Sequence, residues 1–212
     1  MGSAIACSRL SNSPHRSRAR VLTKFIKWYD RDKIYNTAPL PFQISPSSID
    51  DPTYLTHRRW MTRALELAEE AGSAGDVPVG AVIVNADDQM LAEAQNRRER
   101  DHDPTAHAEV LALRAAGQTL KNWHLNDCTL YVTLEPCPMC AGALILARLG
   151  LLVYGADDLK AGAVRSVLNV PDSAASNHQL AVLGGILESA CRQQLQDWFH
   201  DRRRRLSNKG IH

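Results

Sequence analysis

From His57 onward, apolar residues recur at three- and four-residue steps. Trp60, Ala64, Leu67, Ala68 and Ala71 alternate with Arg58, Arg63, Glu66 and Glu70. That period predicts an amphipathic helix ending at Gly72 and Gly75. Val79 to Val84 then reads as a buried apolar strand. Asp87 and Asp88 mark a turn, and Gln89 to Ala94 is the returning strand of a hairpin. After the polar stretch Asn96 to Asp103, Pro104 and Thr105 carry helix-start chemistry for a helix to about Ala116, with Ala106, Val110 and Leu113 as its buried stripe. Thr129 to Leu134 is a β-branched and aromatic run typical of a core strand.

A second helix is predicted from about Cys137, carrying Ala141, Leu144, Ile145 and Arg148 until Gly150 stops it. Leu151 to Tyr154 and Leu180 to Leu183 follow as strands. Between them, Gly155 to Asn177 lacks a period and is expected to be a long functional loop with short helical turns. Leu187, Cys191, Leu195 and Trp198 line one face of a terminal helix that runs into Arg202 to Arg205. Helices and strands alternating at short spacing predict an α/β domain with helices packed on a mixed sheet.

Residues 1–52 break this pattern. They have no sustained periodicity, and Pro39, Pro41, Pro46 and Pro52 punctuate their second half. They are expected to be a mostly disordered basic extension with one short helix around Val21 to Tyr29. The domain is expected at 53–200 and a basic tail at 201–212. Within a formal net charge of +2, residues 1–52 carry eight Lys/Arg against four Asp/Glu, and residues 201–212 carry five against one. The basic charge therefore sits at the ends, where Arg202 to Arg205 are expected either to clamp phosphates of an acidic polymer or to form a merely solvated tail. The apolar run Leu144 to Val153 is broken by Arg148 and far shorter than the roughly 20 residues that span a bilayer, so no membrane segment is expected. The first 29 residues lack Asp and Glu. A cytoplasmic location is expected, with a plastid transit peptide as the alternative.

Five cysteines in this composition do not make a secreted disulfide framework. Cys7 lies in the extension, and Cys128 and Cys191 have apolar neighbours and read as small core residues. Cys137 and Cys140 remain as a chemical pair. With His107 they offer three ligands, the number a hydrolytic zinc site uses while one position stays open. Both cysteines lie at a helix N-terminus, whose free N–H groups favour thiolates. At its own helix start the same field is expected to disfavour an imidazolium at His107. The helix is expected to begin at or just before His107, since residues two apart in a regular helix face different ways. Glu109 is then free to move protons. Taken alone, the Cys-x-x-Cys also fits a redox pair. A structural zinc site completed by Cys128 or another histidine is a further alternative.

His107-x-Glu109 followed by Pro136-Cys137-x-x-Cys140 resembles the zinc deaminase signature. The likeness extends over Asp76 to Val82, Asn96-Arg97, His102 to Glu109, Thr129 to Ala143 and Tyr154 to Ala163, which resemble the bacterial tRNA-specific adenosine deaminases. It covers about His57 to His200. It implies a cytidine-deaminase-like three-layer α/β/α fold with a mixed five-stranded sheet. It also implies one Zn2+ per subunit on His107, Cys137 and Cys140, with Glu109 as the catalytic residue. The implied activity is conversion of adenosine to inosine at wobble position 34 of an arginine tRNA, by a homodimer that binds the anticodon stem-loop across both subunits. Asn96 would hydrogen-bond the flipped nucleoside, and Asp158 and Lys160 would lie on the RNA-facing loop. Residues 1–52 and Asn169 to His178 depart from the family pattern. The alternatives are a deaminase of a free base such as guanine or cytosine, and a non-catalytic zinc-stabilised RNA-binding subunit.

Overall fold

Along the central strands, alternate side chains enter two different cores. Ala81, Ile83, Leu130, Val132, Leu152 and Tyr154 belong to one cluster of buried residues. Val82, Val84, Tyr131 and Val153 belong to the other. Successive side chains of a strand point to opposite faces, so a sheet that is apolar on both must be covered on both. The computed structural model, which describes residues 51–208, meets that demand with a three-layer α/β/α arrangement.

The helices are α1 (Pro52–Ser73), α2 (Ala108–Leu120), α3 (Pro138–Leu146) and α4 (Glu188–Asn208), and the strands are β1 (Gly80–Val84), β2 (Met90–Gln95), β3 (Thr129–Leu134), β4 (Leu151–Ala156) and β5 (Ala181–Gly184). The sheet order is β2-β1-β3-β4-β5. β1 is antiparallel to β2 and β3, whereas β3, β4 and β5 run parallel. Ala108, Ala112 and Ala116 of α2 and Ala141 and Leu144 of α3 cover one face. Met61, Ala64 and Leu67 of α1 and Cys191 of α4 cover the other. Cys128 and Cys191 are buried free thiols, as their neighbours imply.

Several predicted boundaries are corrected. α1 starts at Pro52 rather than near His57, because Asp51 accepts the Thr53 N–H at 2.8 Å and Pro52 takes the first turn, where no N–H partner is needed. It also continues through Gly72. α2 starts at Ala108, since Asp103 holds Thr105 in a separate turn before it, and it passes Gly117 to end where Lys121 adopts φ 51°. Its buried side chains are Ala108, Glu109, Ala112 and Ala116; Ala106 is buried ahead of the helix, and Val110 and Leu113 are only half-buried. α3 ends before Arg148, at φ 56°, rather than at Gly150. Gly150 instead lies where a Cβ would stand 2.0 Å from the Asn126 carbonyl oxygen. β4 runs two residues past Tyr154, and the loop after it is built of hydrogen-bonded turns without helix. The expected helix at Val21 to Tyr29, the extension before residue 51 and Cys7 lie outside the described residues. Among those described, no helix is long and apolar enough to cross a membrane.

One buried pair between α1 and the sheet has a measurable pH signature. His57 Nδ1 lies 2.9 Å from the Tyr131 hydroxyl, and both side chains are buried. Burial holds the His57 imidazole below its usual value of 6.5, against the opposing pull of Asp51. As pH falls through 6.5 the unfolded chain therefore takes up the proton first, so this contribution is complete above 6.5 and is lost towards the lower folded-state value. Within that window the loss is at most about 1.4 kcal/mol per pH unit. Urea unfolding at pH 7.5 and 5.5 is expected to show a smaller pH effect in His57→Gln than in the wild type.

Candidate metal centre

Two helix starts bring the chemical residues together. His107 (φ −73°, ψ 148°) is the N-cap of α2, and Cys137 (φ −72°, ψ 172°) is the N-cap of α3. In both, the extended backbone turns the side chain out of the helix while the carbonyl accepts the first helical bond. Leu111 N–H donates to His107 at 3.0 Å and Ala141 N–H to Cys137 at 2.8 Å. Cys140 sits one turn into α3, fully buried. His107 Nδ1 is 3.7 Å from Cys137 Sγ and 3.5 Å from Cys140 Sγ, and the three donor atoms lie within 4.8 Å of one another. They form the one such cluster found among the described residues, and neither Cys128 nor a second histidine joins it.

These contacts shape the acidities. A hydrogen bond from Cys140, helped by His107, pulls the Cys137 thiol down to about 4. The same bond to Cys137, with burial and the nearby Glu109, pushes Cys140 up. His107 is raised, chiefly by its contact with Cys137. Glu109, one residue into α2, is 4 % exposed, and burial raises its carboxyl above the usual range. It stands outside the three-atom cluster.

The other predicted residues are placed separately. Asn96 is buried; its Nδ2 donates to the Val77 carbonyl at 3.1 Å, while its buried Oδ1 has no partner among the described residues. An unmet acceptor in a buried position is costly unless a ligand supplies a donor. Asp158 turns its carboxylate back on its own loop, accepting from the Lys160 and Ala161 N–H groups at 2.9 and 3.1 Å. Lys160 is exposed and lines a surface cavity of about 270 Å³ with Asp157, Arg192, Phe199 and Arg203, which none of the three cluster residues reaches. Arg202 to Arg205 are all exposed, and Arg202 alone of them lies over the Trp198 ring and donates to the Gly75 carbonyl at 3.1 Å.

Two buried carboxylates carry no assignment from the sequence. Asp76 accepts the Glu99 N–H at 2.7 Å and anchors the loop that follows Asn96. Glu135 lies between β3 and Cys137 and accepts from the loop after β4. The sequence signals for Glu135 are a charge at the end of an otherwise uncharged core strand and its place in the stretch Thr129 to Ala143.

A family model described as MafB19-like deaminase matches residues 55–201. The chain is 45 % identical over 145 residues to a tRNA-specific adenosine deaminase of Haemophilus influenzae, covering 68 % of this chain and 84 % of that one. It is 41 % identical over 146 residues to a tRNA-specific adenosine deaminase of Bacillus subtilis, covering 69 % and 90 %. A solved structure from studies of A-to-I editing by tRNA:A34 deaminases at the wobble position of transfer RNA superposes with a TM-score of 0.62 at 40 % identity, over 64 % of this chain and 98 % of that one.

Proposed function

Since the chain belongs to the MafB19-like deaminase family, we propose on that premise that it converts adenosine to inosine in tRNA, at wobble position 34 of an arginine tRNA. The observation that carries this reading is the convergence of one imidazole and two thiols with a buried carboxylate that is not needed as a ligand.

The donor set fits zinc: one nitrogen and two sulfur donors from two helix starts, the number of protein ligands a hydrolytic zinc site uses. His107, Cys137 and Cys140 would hold one zinc per subunit, which would supply Lewis-acid chemistry to activate a water near neutral pH. Glu109 would take one proton of the water and place it on the adenine ring nitrogen as the water oxygen bonds to C6, then carry the second proton, from the new hydroxyl, to the amino group as the C6–N bond breaks and ammonia leaves. Its raised proton affinity, set mainly by burial, suits a group that must hold a proton and return it. Asn96 Oδ1 accepts a hydrogen bond from the flipped nucleoside. The loop bearing Asp158 and Lys160 meets the anticodon stem-loop, and exposed Arg203 to Arg205 contact phosphates.

The catalytic unit lies within 53–200, with 1–52 as an extension and 201–212 as a basic tail. Exposed Met139 and Leu146 on α3 support a homodimer, because a short helix with apolar residues on its outer side is better covered.

The direct test gives the zinc-loaded protein an anticodon stem-loop RNA with adenosine at position 34, and free guanine in parallel. Inosine is expected in the RNA, with little ammonia from guanine. Faster turnover of the free base than of the RNA would overturn the reading in favour of a small-base deaminase.

A further inference from the structure

Among the described residues, Glu135 is the most heavily hydrogen-bonded carboxylate outside the proposed zinc chemistry. It is 2 % exposed, at the end of β3 and two residues before Cys137. Its Oε1 accepts the N–H groups of Val164, Arg165 and Ser166 at 3.2, 2.8 and 2.9 Å. Its Oε2 accepts the Asp158 N–H at 3.0 Å and the Ser166 hydroxyl. All five donors belong to the loop between β4 and β5, 23 to 31 residues away in sequence.

The packing leaves no slack. A Cβ on Gly162 would stand 2.2 Å from Glu135 Oε2 and 2.6 Å from the Asp158 carbonyl oxygen. The next residue, Ala163, donates its N–H to the Pro136 carbonyl at 2.9 Å. The loop is therefore fastened to the two residues that lead directly into Cys137. A carboxylate suits this position because it accepts through both oxygens, whereas a glutamine offers one acceptor and turns an NH2 group toward the remaining donors.

Resting on the tRNA deaminase reading, we propose that Glu135 is a positioning residue for RNA binding. Its carboxylate holds residues 158–166 in register with the metal-ligand segment, so that the loop bearing Asp158 and Lys160 is already formed when the anticodon loop arrives. A preformed loop lowers the entropy cost of binding and leaves the chemistry to Glu109. Glu135 thus acts on KM rather than on kcat.

The test measures kcat and KM on the anticodon stem-loop for wild type, Glu135→Gln and Ser166→Ala, together with zinc content and amide hydrogen exchange. For Glu135→Gln we expect KM to rise on the order of tenfold, the loss of about one buried charge-assisted hydrogen bond. kcat should stay near the wild-type value and zinc should stay at one per subunit. The amides of Asp158, Val164, Arg165 and Ser166 should exchange faster. Ser166→Ala, which removes one side-chain donor and leaves the backbone donors in place, should show the same split more weakly. An unchanged KM, or a kcat or zinc loss as large as the KM effect, overturns the proposal. Should Glu135→Gln fail to fold, Ser166→Ala decides by the same criteria. Wild-type protein inactive on the RNA would instead sink the tRNA reading, and unchanged exchange of the four amides in the variants would still overturn the role of Glu135.

Discussion

Glu109→Ala is expected to lose deamination of the anticodon stem-loop by at least about 10³-fold, at the upper part of the range for a positioned acid–base group, while zinc stays bound. The expectation rests on the division of labour at the site. His107, Cys137 and Cys140 form the donor cluster without Glu109, so its removal takes away no ligand. Glu109 is nevertheless 4 % exposed beside that cluster, where burial raises its hold on a proton. Such a carboxylate is costly to the fold, a cost that the proposed proton transfer would account for. Inosine formation by single turnover and metal analysis on the same sample check the result. Zinc lost along with activity would instead make Glu109 a part of the metal cage.

Cys140→Ser is expected to abolish both zinc binding and activity and to remove the dependence of melting on free zinc. Cys140 Sγ is fully buried, 3.5 Å from His107 Nδ1, and no other cysteine among the described residues stands close enough to replace it. A cation that binds only the folded chain stabilises it by about 2.7 kcal/mol at one hundred times its dissociation constant, so wild-type protein should melt higher as zinc is raised and lower with a chelator. The variant should ignore both additions. Thermal melts across a zinc series would overturn the assignment if the variant still responded.

The metal cluster was legible because its chemistry is local. Cys137 and Cys140 must be three apart to share a face, and Pro138 marks the helix start that places them. His107 was legible for a related reason, since a residue at the helix entrance can turn its side chain a different way from Glu109 two residues on. Boundaries were less legible. Gly72 and Gly117 look like stops, yet both helices run through them, because a single glycine in a packed helix costs only about 1 kcal/mol. His57 reads as an ordinary polar position until Tyr131 is found 74 residues away.

The strand and helix periods, the Cys-x-x-Cys spacing and the His-x-Glu pair thus specify an α/β chain with a metal-binding helix entrance, since each depends on side-chain directions repeating over a few residues. Folding alone decides what lies around that entrance. The unmet Asn96 oxygen, the raised His107 and the five donors gathered by Glu135 depend on groups from separate elements meeting in low-dielectric surroundings. Their partners are mostly backbone amides and carbonyls, which every residue carries and no sequence pattern distinguishes.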